Sequence, residues 1–408
     1  TPEYGIFNAG GLDGTWSVPT WYEGDQVIAV SQPPIPVRDV VTTDSYESVL
    51  REIVDHQKFQ ELLPNHFGIS KNSSDEIVVW NDANGVGRSY YVESENFFAA
   101  SNHLGTLAYF LDGGVKLDEV AVGKYAGASF FMDDDSPYLG IIRMGAGVKI
   151  EISREKVVTH SHYFDQSILV SPTGEKPNYP LVAGEMQRVA KNIDNLSVRT
   201  PTVYLSGGRD ARMTAGLWLS GGSDARVVTL GTLEREAEIA QELMDRFSPS
   251  TGQDVVHNIN VASGSDITQS LHERVDLAFK MWDGDAAATN IKRNLSVPSG
   301  RAAISIGGVG GEIMHGYYYS RPGALERVRD ENNPFRGVLN SFGGRYLTDE
   351  ASRGIQESFD FFFEKTNSLK LDSFSALDYL YMDQKFRRWG NQALNSTSAI
   401  MLSSPAFV

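Results

Sequence analysis

The stretch Val203-Tyr204-Leu205-Ser206-Gly207-Gly208-Arg209-Asp210-Ala211-Arg212 decides how this chain is expected to fold. The apolar run over 202–205 reads as a buried strand, two glycines turn the chain, and apolar residues at helical spacing follow over 211–219. At such a helix start the first backbone N–H groups have no partner and the macrodipole is positive. Glycines let a polyphosphate approach that end closely, which makes the turn a candidate anion site. Asp210 is placed to hold Mg²⁺ against those phosphates, because a hard dication takes carboxylate and phosphate oxygens together. Taken alone, the turn also has a purely structural reading as a tight strand-to-helix connection.

Outward from this turn, strands expected at 226–230 and 302–306 alternate with helices expected at 181–193 and 233–246. That alternation argues for a parallel sheet covered on both faces. From Gly354 onward the chain reads as wholly helical. A near copy, Ser220-Gly221-Gly222-Ser223-Asp224-Ala225-Arg226, follows a helix and precedes a strand, so its glycines read as a helix C-cap and the copy as a connection. Before residue 165 the texture is β-rich, with strands expected at 26–30, 76–80, 89–92, 107–111, 139–143 and 148–152. Proline and glycine at 171–180 mark a linker. With 408 residues, two cores are the expectation, since single cores rarely exceed about 250–300 residues.

The composition excludes several chemistries. There is no cysteine, so no disulfide, thiolate metal site or cysteine nucleophile is available. A net charge of −16 opposes nonspecific binding to nucleic acid or anionic membrane. No run of eighteen apolar residues and no basic-then-apolar leader appears, which gives the expectation of a cytoplasmic protein with no membrane partner.

A second glycine-rich loop, Ile306-Gly307-Gly308-Val309-Gly310-Gly311-Glu312-Ile313-Met314-His315-Gly316-Tyr317-Tyr318, follows the strand expected at 302–306. Ser-Gly-Gly-x-Asp after a strand resembles the pyrophosphate loop of the N-type ATP pyrophosphatases, which include asparagine, argininosuccinate, GMP and NAD synthetases. The second loop resembles the Ser-Gly-x-Gly-Gly-Asp-Glu-x-x-x-Gly-Tyr loop of asparagine synthetases and their relatives. Weaker likenesses lie at 101–109, 140–147, 381–389 and 404–407, so the resemblance spans nearly the whole chain.

The resemblance implies an α/β protein of two domains. Residues 1–170 would be an N-terminal β-rich Ntn-hydrolase-like (αββα) domain, a degenerate glutaminase. Residues 180–408 would be a parallel-sheet adenine-nucleotide α-hydrolase-like synthetase domain with a helical C-terminal part. It implies ATP and Mg²⁺ as cofactors, with Asp210 and Glu312 as catalytic metal ligands. Leu205, Ser206, Gly207, Gly208, Arg209, Asp210 and Ala211 would meet the phosphates, the edge at Thr229, Leu230 and Gly231 the adenine, and Gly308, Gly310 and Gly311 the second side of the nucleotide. With the acidic charge, no nucleic-acid partner is expected, and a homodimer is allowed.

The departures from the family shape the expected reaction. Ala211 stands where the family has Ser, Glu312 aligns with its Asp, and Ile313 replaces its Glu. Tyr4, in Tyr4-Gly5-Ile6-Phe7, occupies the place of the glutaminase Cys, so ammonia is not made from glutamine. Thr1 as an alternative nucleophile is misplaced for the same alignment. Relatives without a glutaminase, such as β-lactam synthetases and lasso peptide macrolactam cyclases, adenylate a carboxylate and couple it to an amine already on the substrate. An AMP-forming carbon–nitrogen ligase in natural product biosynthesis is therefore the expectation, acting on a small-molecule or peptide carboxylate and including macrolactam or isopeptide formation. A peptide cyclase is favoured over a β-lactam synthetase, whose loop carries a Tyr absent here.

The alternative is an impaired homologue kept as a nucleotide- or partner-binding module. A sulfur-transfer enzyme acting on tRNA is disfavoured by charge and by the absent thiol. For the family's Lys beyond its Pro-Phe segment, Lys292, Arg293, Lys385 and Arg388 are candidates by charge alone. His103, His257 and His315 read as ordinary polar or packing positions, and Trp282, Asp283 and Asp285 as either acceptor-pocket or core residues.

Overall fold

The computed structural model describes residues 20–31, 34–111, 113–155, 157–171, 178–197, 200–231, 233–251, 256–260, 268–283, 285, 304–320, 323–324, 328, 333–342, 347–390 and 403–405. Expectations for Thr1, Tyr4, Lys292 and Arg293 fall outside them. No helix among the described residues is long and apolar enough to cross a membrane.

The amino-terminal half carries strands β1 (Thr20–Glu23), β2 (Gln26–Val30), β3 (Phe67–Lys71), β4 (Ile77–Asn81), β5 (Tyr90–Glu93), β6 (Phe98–Ser101), β7 (Ile142–Arg143), β8 (Val148–Ile152) and β9 (Val158–His162). It also carries helices α1 (Thr43–Asp55), α2 (Leu104–Ala108), α3 (Glu119–Ala128) and α4 (Ser167–Val170). Six strands form one antiparallel sheet in the order β1-β2-β3-β4-β8-β9, and three form a second, β6-β5-β7.

Alternation along the strands sets the layers, because successive side chains point to opposite faces. Phe67, Val79 and Ile150 turn to one face and pack with Tyr91, Phe98 and Ala100 of the smaller sheet. Ile28, Val30 and Trp80 turn to the other and pack with Tyr46, Leu50 and Ile53 of α1. On the far side of the smaller sheet, Leu104 and Leu107 of α2 pack on Tyr90 and Val92. The layers therefore run helix, sheet, sheet, helix.

Two expectations here are corrected. Residues 107–111 are not a strand: Leu104 and Leu107, three apart, are both buried, which helical spacing permits and alternation does not. Within 139–143 only β7 is extended. Helix α1 lies in what reads as a β-rich region and starts with a capping box between Thr42 and Ser45.

The carboxy-terminal half holds α5 (Tyr179–Leu196), β10 (Thr202–Tyr204), α6 (Arg209–Ser220), β11 (Arg226–Leu230), α7 (Glu234–Thr251), β12 (His257–Asn260), α8 (Leu271–Trp282), β13 (Ser305–Gly307) and β14 (Ser403–Pro405). Its five strands form a sheet in the order β12-β11-β10-β13-β14, parallel throughout. The order reverses between β10 and β13. After β10 the chain builds outward to β11 and β12, then returns to the opposite side of β10 for β13. The near copy at Ser220 is a helix-to-strand connection in which Gly222 takes φ +72°.

Helices Asp349–Ser368 and Ser373–Leu380 lead into a π-helix, Tyr381–Gly390. The expectation that everything beyond Gly354 is helical is corrected by β14, which pairs with β13 at the end of the sheet.

Buried polar groups join the halves. Asn192 of α5 accepts from Val41 N at 2.9 Å and donates to Pro36 O at 2.8 Å and Asp39 O at 2.6 Å. Arg143 Nη1 lies 2.9 Å from Asp285 Oδ2, and both side chains are almost fully buried. Asp283 accepts from Leu104 N at 3.2 Å and lies 3.4 Å from both Arg88 and His103. Burial pushes the Asp283 carboxyl up, opposed by Arg88 and His103. Asp283 and Asp285 thus belong to a buried joint.

Gly68 has no room for a side chain: an added Cβ would collide with the Trp80 ring, which itself stacks on Phe59 at 4.5 Å. Gly68→Ala is expected to lower unfolding stability by about 1–3 kcal/mol, as overpacked cores do. Chemical denaturation followed by Trp fluorescence checks this.

Candidate active site

Gly208 is the N-cap of α6 in an extended conformation and makes no side-chain cap, and among the described residues no side chain accepts from the first N–H groups of the helix. Within the turn, Ser206 Oγ accepts from Gly208 N at 3.1 Å, and Gly207 lies beside Glu236 and Ile239 of α7. Arg209 and Arg212 are exposed in the first turn of α6. Cations at a helix N-terminus oppose its dipole, so an anion bound there would relieve them.

The loop after β13 presses directly on Asp210. A Cβ on Gly308 would come within 2.7 Å of Ala211 N, and one on Gly311 within 2.6 Å of Asp210 Cβ and Cγ. Only glycine fits at either position. Gly310 takes φ +93°, a conformation that side chains rarely adopt.

His315 follows on a 3₁₀ turn, Gly311–His315, with Nε2 3.6 Å from Asp210 Oδ2. Read from sequence as packing, His315 is instead a neighbour of the Asp210 carboxylate. Its position three residues beyond Glu312, one 3₁₀ turn, was the available signal.

Glu312 has different partners. Its Oε2 accepts from Gly310 N at 3.1 Å and from Tyr381 Oη at 3.0 Å. Burial, with Glu312 alongside, pushes the Tyr381 phenol well above its ordinary value, so it remains a donor. The two loops are therefore adjacent, while the carboxylates of Asp210 and Glu312 are engaged by separate groups. Ile313 packs with Val309, Tyr317 and Tyr318 against Tyr381 and Phe386.

At the neighbouring strand, Thr229 Oγ1 donates to Leu205 O at 2.8 Å and meets His257 Nε2 at 2.9 Å. Leu205 is itself buried, with its N–H donating to Val228 O at 2.9 Å. Both side chains therefore serve the end of the sheet. Leu230 and Ile259 are exposed there, beside Gly231.

Of the described charged candidates, Arg388 is buried and donates to Asp135 O at 2.5 Å, away from the loops. Lys385 Nζ instead lies over the rings of Tyr317 at 5.2 Å, Phe130 at 5.5 Å and Trp389 at 5.5 Å. Among the described residues, no group of three or more His, Asp or Glu side chains is gathered to hold a metal. Mg²⁺ bound to a nucleotide does not need one, since one or two carboxylates complete a shell of phosphates and water. The hard oxygens of Asp210 and Glu312 fit that donor set.

A scan against protein-family models finds no match to the chain, and a search of curated proteins finds no significant one.

The loop is tied down at its far end, where Tyr319 Oη donates to Asp378 Oδ2 at 2.7 Å. Burial raises the Asp378 carboxyl to about 6, with Tyr319 pulling it down and Asp372 pushing it further up. Between the usual Asp value of about 4 and this raised one, the folded chain keeps a proton that the unfolded chain has lost. Stability contributed here therefore falls as pH rises through that window. Asp378→Asn is expected to flatten the pH dependence of the melting temperature between about pH 4 and 6 while retaining an acceptor for Tyr319. An unchanged slope in thermal melts would contradict this assignment.

Proposed function

We propose that this chain is an ATP- and Mg²⁺-dependent ligase of the asparagine synthetase type, which activates a carboxylate with AMP and joins it to an amine. The observation that carries the reading is the meeting of two glycine loops, one after β10 and one after β13, where the strand order reverses. Open parallel sheets bind ligands outside the carboxyl ends of their strands at such a reversal. The helix–sheet–sheet–helix layering of the first half is also what a glutaminase-like Ntn domain would have. With no cysteine in the chain, the nitrogen is taken from an amine already on the substrate.

In this reading the uncapped start of α6, with Arg209 and Arg212, binds the phosphate charge. Asp210 and Glu312 are the residues that would hold Mg²⁺, whose chemistry there is to neutralise charge on the phosphates. Leu230 and Ile259 offer apolar surface to the base. Lys385, which reaches Tyr317 of the second loop, is the charged candidate for stabilising the leaving group.

The substrate carboxylate oxygen bonds to the α-phosphorus of ATP as the α–β bridge breaks and pyrophosphate leaves. The amine then bonds to the acyl carbon, AMP leaves with its oxygen, and the amine proton passes to solvent. Holding carboxylate and amine on one peptide would supply the effective concentration for macrolactam or isopeptide closure.

One observation favours a second reading, a nucleotide- or partner-binding module without turnover. Ile313, where the family has Glu, is spent on apolar packing against Tyr381 and Phe386.

Equilibrium titration with MgATP tests the binding both readings share. Asp210→Asn is expected to weaken it roughly tenfold or more, a charge-assisted contact being worth about 1.5–3 kcal/mol. Isotope exchange between ATP and pyrophosphate, with peptides bearing a free amine and an acidic side chain, then separates the two. Exchange that disappears in Asp210→Asn supports the ligase, and binding without exchange supports the module. No MgATP binding by the unaltered chain refutes both.

A further inference from the structure

The π-helix Tyr381–Gly390 brings one hydroxyl to the second loop, and π geometry is uncommon enough to ask what it serves. Tyr381 Oη and Gly310 N both donate to Oε2 of Glu312, at 3.0 and 3.1 Å. Oε1 therefore has no protein donor among the described residues. The Tyr381 ring is itself fixed, 4.9 Å from the Tyr317 ring and stacked at 6.2 Å on Phe386.

The helix beneath the ring is anchored at several points to the turn at 132–135 of the amino-terminal half. Arg387 donates to Asp134 Oδ1 at 2.7 Å and to Asp133 O at 2.6 Å, and Gln384 Oε1 accepts from Asp133 N at 2.8 Å. Arg143 Nη2 closes the joint on Arg387 O at 3.5 Å.

We propose that Tyr381 is a positioning residue for Glu312: presented by the π-helix and braced on the 132–135 turn, it fixes Oε2 and leaves Oε1 for the divalent cation of the bound nucleotide. The inference rests on the MgATP reading above. Groups that orient a metal ligand from behind are worth about 10–100-fold in metal affinity.

The test is Mn²⁺ binding by the full chain, read by electron paramagnetic resonance with a non-hydrolysable ATP analogue present. Tyr381→Phe keeps the ring and removes the hydroxyl. It is expected to weaken Mn²⁺ binding about 10–100-fold while metal-free nucleotide binding stays unchanged. Glu312→Gln is expected to weaken Mn²⁺ binding as well, and the double variant no further than Glu312→Gln alone. A purely structural role would instead give losses that add.

As a measurement that keeps the hydroxyl, 3-fluorotyrosine at 381 should shift its ¹⁹F resonance when Mg²⁺ joins the bound analogue. Unchanged Mn²⁺ affinity in Tyr381→Phe, additive losses, or an unmoved ¹⁹F signal overturns the proposal and leaves the MgATP reading standing. An unaltered chain that binds no Mn²⁺ with the analogue overturns both.

Discussion

Asp210 sits where two chain segments about 100 residues apart in sequence come within van der Waals contact, its Cβ and Cγ filling the space that any side chain at Gly311 would need. That contact constrains much of the carboxy-terminal half. It requires β13 to lie beside β10, so the chain must cross back over β10 after building β11 and β12. It requires glycine at 308 and 311, and it accompanies the positive φ of Gly310 that lets the second loop turn so sharply. Glycines held in this way lose more conformational freedom on folding than other residues, and they occur where two backbone segments must approach closely.

A second constraint is electrostatic. Arg143, Asp283, Asp285, Arg387 and Arg388 are all buried where the two halves meet. Burial, with Arg143 and Arg387 beside it, pushes Arg388 down to about 10, which still leaves it a cation at neutral pH. Such groups add little net stability compared with apolar packing, but removing one partner strands the other at a cost of about 3–5 kcal/mol. The amino-terminal half is in this way bound to the π-helix that carries Tyr381, through Arg143 and the 132–135 turn.

The parallel half was the more legible in sequence. The run at 226–230 coincides with β11, the glycine turn at 207–208 does lie between strand and helix, and the second Ser-Gly-Gly copy is a connection. Those features are local: an apolar run, a glycine pair and a change of period each announce themselves over ten residues. What was not legible depends on long-range contact. Leu104 and Leu107 form a helix because the smaller sheet needs a cover, and residues 403–405 are extended because β13 offers an open edge. The hydroxyl of Tyr381 meets Glu312 from a π-helix far along the chain, and His315 meets Asp210 across two adjoining loops. Thr229 and Leu205, which the resemblance implies as nucleotide contacts, turn their polar groups to each other and to the sheet.

A crystal structure of the chain with Mg²⁺ and a non-hydrolysable ATP analogue tests the proposed ligase site. Triphosphate density is expected against the backbone N–H groups at the start of α6, with Asp210 and Glu312 holding the metal and the base beside Leu230. Nucleotide bound elsewhere, or none bound at saturating analogue, would contradict the proposed site.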